Sequence, residues 1–291
     1  MTTESEENAA SWLSSKIFTE MHVRRAFDFS GKTVFVSGGT SGINLGIAHA
    51  FALAGARIAV ISRKQDKVDA AVAELNKRGG EAIGFACDVR EYEAVESALK
   101  NTHAKFGEID VLISGAAGNF PAPALGISPN GFKSVVDIDL IGSFHVLRAA
   151  FPFLKKPGAS IIQISAPQSY NPMELQMHVC AAKAGVDMLT RVAAMEWGPM
   201  GVRINSVVPG PIEDTEGMKR LAPTPETEKL VADSVPLGHF GTKQDIANAC
   251  LWLSSPLASY VTGVVLPVDG GWSLGGTSVS SAGMKKLLAG K

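Results

Sequence analysis

Short, nearly unbroken apolar runs recur along this chain, and between them apolar positions return every three or four residues. The runs are KTVFVSG from Lys32, RIAVISR from Arg57, EAIGFACDV from Glu81, IDVLISG from Ile109, ASIIQIS from Ala159, VRINSVVPG from Val202 and GVVLPVDGG from Gly263. A strand with one wet face alternates apolar and polar residues, whereas continuous runs of this length are covered on both faces, as in parallel sheets. The intervening segments predict helices. GINLGIAHAFALAGA ends near Gly55, and the amphipathic KVDAAVAELNKRGG is stopped by two glycines. Strand–helix alternation with crossovers predicts an α/β fold, a single doubly wound parallel sheet of about seven strands with helices on both faces. Two helical segments, not one, separate IDVLISG from ASIIQIS. There is no second rhythm and no linker. The pattern predicts an N-terminal extension over 1–30, one domain over 31–275 and a C-terminal tail over 276–291. Residues 213–234, rich in Glu, Lys, Pro and Thr, interrupt the rhythm. In such a fold this excursion lies at the carboxyl ends of the strands, where ligands bind.

Composition adds exclusions. With 46% hydrophobic residues the chain can bury a substantial core, and a net charge of −1 gives no electrostatic reason for a nucleic-acid partner. No apolar run approaches the roughly 20 residues that span a bilayer, so no membrane insertion is expected. The start, MTTESEENAASWLSSK, resembles neither a secretory signal nor a transit peptide, and KKLLAGK is not a Ser-Lys-Leu address. The expectation is a cytoplasmic protein. Cys87, Cys180 and Cys250 lie far apart and match no zinc spacing, so no metal is expected. Cys180 reads as a small core filler.

VFVSGGTSGINLG follows the first predicted strand and opens the first helix. Glycines at such a turn let the backbone approach a pyrophosphate, and the helix N-terminus supplies N–H donors and positive dipole. This is the Rossmann-type context in which a glycine pattern carries weight; alone it marks only a tight turn. The second strand ends in ISRKQDK, with no acidic residue to hold a ribose 2′-hydroxyl. Arg63, supported by Lys64 and Lys67, suits a 2′-phosphate and predicts NADP(H), unless these are solvated charges at a strand end. Asp88, after the third strand, can cap the helix that follows, a role that can coexist with a cofactor contact.

The spacing Ser37-Gly38…Gly42, with Asn44 where a third glycine is expected, resembles the Thr-Gly-x-x-x-Gly-x-Gly motif of short-chain dehydrogenases/reductases. SGAAG at 114–118, KAGVDMLTRVAAMEWGPMGVRINSVVPGPI and YVTGVVLPVDGG extend the resemblance over about residues 30–275. It implies cofactor contacts at Gly38, Thr40, Ser41, Gly42, Ile43, Arg63, Asp88, Val89, Ala116, Gly118, Lys183, Pro209, Gly210, Pro211 and Ile212. It also implies a homotetramer, with the Lys183 helix in a subunit interface. The family's catalytic Asn, Ser, Tyr and Lys survive here only as Lys183, since Val179 replaces the tyrosine, Ala166 the serine and Asp139 the asparagine. Valine has no proton to give, so carbonyl reduction by the family's usual route is not expected.

AAGNFPAPA, WGPMGVRINSVVPGPIEDTEGMKRL and SPLASYVTGVVL resemble the 2,4-dienoyl-CoA reductases, above all the peroxisomal type. That type also lacks the tyrosine and carries aspartate at the position of Asp139. The resemblance implies an auxiliary oxidoreductase of fatty-acid β-oxidation, in which NADPH delivers hydride to the δ carbon of a dienoyl thioester and a proton then reaches the α carbon. A water oriented by Asp139 and Lys183 can carry that proton. Tyr170 is either a further donor or a loop residue, and His178 either an alternative acid or structural. Arg90, Phe120 and Arg220 match substrate-contact positions of that type. The arginines suit CoA phosphates, although solvated surface charge and simple loop packing are the other readings. Two further functions stay open, a short-chain reductase of another enoyl or keto substrate and a degenerate NADP(H)-binding sensor.

Overall fold

The computed structural model describes residues 26–77, 80–222 and 224–277. The first 25 residues of the expected extension and residues 278–291 of the expected tail lie outside them. Every apolar run forms a strand, trimmed where Gly, Asp or Pro turns the chain: β1 (Thr33–Ser37), β2 (Arg57–Ser62), β3 (Glu81–Ala86), β4 (Val111–Ser114), β5 (Ser160–Ile164), β6 (Arg203–Pro209) and β7 (Val265–Val268). They form one seven-stranded sheet in the order β3-β2-β1-β4-β5-β6-β7, and all neighbours are parallel. The order reverses between β1 and β4, which opens a crevice at their carboxyl ends.

Helices α1 (Gly42–Leu53), α2 (Gln65–Lys77) and α3 (Tyr92–Phe106) follow the first three strands. Between β4 and β5 the chain runs through α4 (Pro129–Val136), a π-helical turn (Asp137–Ile141) and α5 (Gly142–Ala150). The sheet separates two cores. Val34 and Val36 of β1 face Ile47 and Phe51 of α1, while Phe35 between them faces Val95 and Leu99 of α3. This is the strand's period of two, with both faces dry. The packed chain begins before residue 31: Phe29 is buried and meets Phe51 edge-on, with ring centroids 4.9 Å apart.

The longest helix, α6 (Met177–Trp197), follows β5. The excursion after β6 folds into α7 (Glu216–Leu221) and α8 (Pro225–Ser234), and α9 (Lys243–Ser254) precedes β7. Helix α6 passes close to the π turn because Gly185 leaves room for Leu140, whose methyls would lie 2.8 Å from a Cβ there. We expect Gly185→Val to overpack this contact and destabilise the protein by about 1–3 kcal/mol. A lowered urea midpoint with unchanged slope would show it; an unchanged midpoint would mean that the contact yields without strain.

Candidate active site

At the crevice the glycine turn after β1 meets the loop after β4. Gly38 has φ +73°, and a Cβ there would lie 3.0 Å from the Ala116 Cα. Asn44, in the place of the third glycine, donates from Nδ2 to the Gly115 carbonyl at 2.8 Å. Gly115 tolerates this only because it is glycine, since its Cβ would come within 2.3 Å of Asn44 Oδ1. Beside this turn lies a cavity of about 280 Å³ lined by Gly38, Thr40, Ser41, Arg63, Lys64, Lys67, Asp88, Val89 and Ala116, among others. Three cations in the lining, Gly38 in the turn and Gly42 at the helix N-terminus fit the phosphates of a dinucleotide.

A second cavity, of about 510 Å³, shares Asn44, Gly115 and Ala117 with the first. Gly42, Ile43, Gly118, Pro209, Gly210, Pro211 and Ile212 line it, as do Asp139 and Lys183. Asp139 comes from the π turn, whose extra residue per turn aims this side chain at the cavity's polar end. Its Oδ1 accepts from the Gly118 backbone N–H at 2.7 Å. Lys183, one turn after Val179 on α6, donates to the Ile164 carbonyl at 3.0 Å and lies 3.5 Å from Asp139 Oδ2. Both are withdrawn from water, their side chains 1% and 7% exposed. Burial pushes the Asp139 carboxyl above its ordinary range, and the Lys183 ammonium and the Gly118 N–H pull it back without cancelling the rise. Such a carboxyl is poised to hold and release a proton. The rest of this cavity is mainly apolar, with Ile164, Pro167, Met173, Val179, Met218, Val231 and Trp272 on its walls.

Other candidate residues sit elsewhere. Arg90 forks onto Asp88, with Nε 3.0 Å from Oδ1 and Nη2 2.6 Å from Oδ2, and holds the Asp88 carboxyl below its ordinary range. Phe120 lies edge-on against the buried His178 ring, centroids 4.4 Å apart. Neither Arg90 nor Phe120 lines a cavity described above. Tyr170 is half-exposed outside them; burial raises its phenol further from the neutral range, and the nearby Ser273 offsets this only in part. Arg220 lies on α7, its side chain outside the described residues. Sequence reasoning missed Asn119, Gln168, Gln176 and Trp272. The signal available was a cluster of amides around the loop that leads into the lysine helix. Among the described residues no helix is long and apolar enough to cross a membrane, and no group of side chains could hold a metal ion.

A doubly wound sheet with this glycine turn and a lysine–carboxylate pair at the second cavity defines a dinucleotide-dependent oxidoreductase. The chain belongs to the short-chain dehydrogenase/reductase family: the family model described as enoyl-(acyl carrier protein) reductase matches residues 38–273. It is 45% identical over 92% of its length to a peroxisomal 2,4-dienoyl-CoA reductase of Saccharomyces cerevisiae, named as (3E)-enoyl-CoA-producing, covering 93% of that protein. A rat enzyme of the same name is 44% identical, over 82% of this chain and 83% of its own. Among solved structures, a citronellol catabolism dehydrogenase of Pseudomonas aeruginosa matches with TM-score 0.75 and 35% identity, over 88% of this chain and 98% of that one. These relatives correct one expectation. The yeast and rat enzymes carry peroxisomal in their names, so the cytoplasmic assignment, made from the terminal segments and the lack of a membrane-spanning run, does not stand.

The raised Asp139 carboxyl has a thermodynamic consequence. An unfolded aspartate gives up its proton near 3.8, the folded one at higher pH. Between those values the unfolded chain binds fewer protons, so this residue lowers stability as pH rises through the window. Asp139→Asn does not titrate. Its unfolding free energy relative to wild type should therefore climb as pH increases from about 3.8, measured by urea unfolding across the acid range. A gap between the two proteins that stays flat with pH would contradict the burial argument.

Proposed function

We propose that this chain is an NADPH-dependent reductase of conjugated 2,4-dienoyl-CoA thioesters, producing the 3-enoyl thioester. The observation that carries the reading is the buried Lys183–Asp139 pair beside Val179 in a mainly apolar cavity. Arg63, Lys64 and Lys67 would hold the 2′-phosphate, the Gly38–Gly42 turn the pyrophosphate, and Lys183 the nicotinamide ribose. When bound, the reduced cofactor supplies hydride. Hydride added at the δ carbon moves electron pairs through the conjugated system onto the thioester oxygen, leaving a dienolate with carbon nucleophilicity at the α and γ positions. Asp139 and Lys183 at the polar end of the cavity hold a proton for the α carbon, next to the thioester, directly or through one water. Addition there leaves the remaining double bond at the β,γ position. The apolar walls take the acyl chain and keep water from the γ carbon.

The same reading places the enzyme in the auxiliary steps of β-oxidation and, following the relatives' names, in the peroxisome. It includes a homotetramer, supported by the exposed Phe144 of α5 and by Met188, Val192 and Met195 of α6, an apolar surface suited to a second copy.

Following NADPH absorbance with a 2,4-dienoyl-CoA, a 3-ketoacyl-CoA and no substrate separates the readings. Turnover on the dienoyl thioester alone is expected. Turnover on the ketoacyl substrate alone would move the assignment to another reductase, and tight NADPH binding without turnover to a sensor. Lys183→Ala and Asp139→Ala should each lower kcat by about 10²-fold or more with the fold retained. Near-normal rates in both would remove the site from the chemistry. Arg63→Asp should raise the Kd for NADPH far more than that for NADH, and equal weakening of the two would argue against a 2′-phosphate contact.

A further inference from the structure

Hydride addition drives negative charge onto the thioester oxygen, yet the two positions that serve the oxygen in the family carry Ala166 and Val179, which offer no donor. Lys183 has its ammonium directed to the Ile164 carbonyl and to Asp139. On the same cavity wall stands Gln168, in the loop between β5 and α6. One of its amide N–H groups donates to Gln176 Oε1 at 2.9 Å, and Nε2 also lies 3.3 Å from the Met173 sulfur. Gln176 is 2% exposed, and its oxygen accepts from Asn119 Nδ2 as well, at 3.5 Å. The Gln168 carbonyl oxygen is buried without a partner among the described residues. A cavity-facing amide is thus anchored by one strong bond while its second N–H rests on a thioether, a weak acceptor.

We propose that Gln168 is a catalytic residue of the reductase described above: its Nε2–H leaves the Met173 sulfur for the thioester oxygen when the substrate binds, and that hydrogen bond strengthens as the dienolate forms. Gln176 is the positioning residue that turns the amide nitrogen, not its oxygen, toward that place. No bond is made or broken at Gln168; it stabilises charge that the hydride brings. A neutral hydrogen bond to the thioester carbonyl polarises it but adds only modestly to substrate affinity. On the enolate oxygen it becomes a charge-assisted hydrogen bond, so the interaction strengthens in the transition state and raises kcat more than it lowers KM. Met173 keeps the donor oriented until the substrate binds, which spares the reorganisation that a solvated donor would undergo.

This inference rests on the dienoyl-CoA reading, and the experiment separates the two. Wild type, Gln168→Leu, Gln168→Glu, Gln176→Leu and Ser165→Ala are compared for dienoyl-CoA turnover and NADPH affinity. The near-ultraviolet spectrum of dienoyl-CoA in the non-reacting complex with NADP⁺ is recorded for each; polarisation of the thioester oxygen shifts it to the red. For Gln168→Leu we expect kcat lower by about 10²-fold, as for loss of one oxyanion donor, with KM and NADPH affinity nearly unchanged and the red shift gone. Gln168→Glu, almost isosteric but without the N–H, should behave alike and carries the test if the leucine variant does not fold. Gln176→Leu should lose part of both the rate and the shift. Ser165→Ala tests a hydroxyl on this wall whose Oγ has no partner among the described residues, and should keep the shift. A Gln168 variant with wild-type kcat, or with an undiminished shift, overturns the proposal, as does a shift that follows Ser165 instead. A wild-type enzyme inert toward dienoyl-CoA defeats the underlying function, whatever Gln168 does.

Discussion

A carboxyl and an ammonium, both withdrawn from water 3.5 Å apart, set the demands that the rest of the molecule meets. Taking two charged groups out of water costs several kcal/mol each before their attraction returns anything. Asp139 and Lys183 are tolerated because each has a second, neutral partner, the Gly118 N–H and the Ile164 carbonyl. Those partners are backbone groups on the carboxyl side of the sheet, the Gly118 N–H in the loop just beyond β4 and the Ile164 carbonyl at the last residue of β5. The pair is thereby tied to the carboxyl edge of the sheet on the side where its ligand crevice opens.

The elements around the pair follow from the same demand. Asp139 reaches Gly118 because the helix between β4 and β5 widens to a π turn at Asp137–Ile141, a feature that removes regular hydrogen bonding and is kept where it re-aims a side chain. Helix α6 brings Lys183 to the same point only by passing close to that turn, with Gly185 against Leu140. The residual imbalance, a carboxyl raised by burial more than its neighbours lower it, is the property that suits Asp139 to the proton-carrying role proposed for it.

Those elements differ in how readily the linear chain reveals them. All seven strands and their parallel sense were legible, since doubly covered strands must be continuous apolar runs and the pattern has a fixed period. The glycine turn was legible for a similar reason, because a pyrophosphate cradle needs backbone without Cβ atoms at set spacing. Lys183 and Asp139 could be singled out together by family register, although 44 residues apart (183 − 139). Contacts between loops were not legible. Phe120 on His178 and Tyr170 beside Ser273 join distant positions with no repeating pattern, and side chains choose among such neighbours only once the fold has assembled them. The terminal segments misled for a further reason, since a compartment is read by a receptor and leaves no mark in packing.

Val179 gains its meaning from where charge and proton must end up. In carbonyl reduction hydride goes to carbon and the proton to the adjoining oxygen, so a phenol held at the oxygen serves directly. In conjugate reduction the oxygen must carry charge while a proton reaches carbon. A phenol one turn before Lys183 would compete by protonating the oxygen, leaving a neutral dienol that is far less nucleophilic at its α carbon. A valine there gives no proton, and an amide such as Gln168 can donate a hydrogen bond to the oxygen but is too weak an acid to surrender the proton. In the proposed mechanism the proton for carbon comes from Asp139, a carboxyl that burial has made less acidic than usual, set back beside Lys183. On the proposed mechanism the loss of the tyrosine and the appearance of the buried carboxyl are two halves of one division of labour, charge at oxygen and proton at carbon.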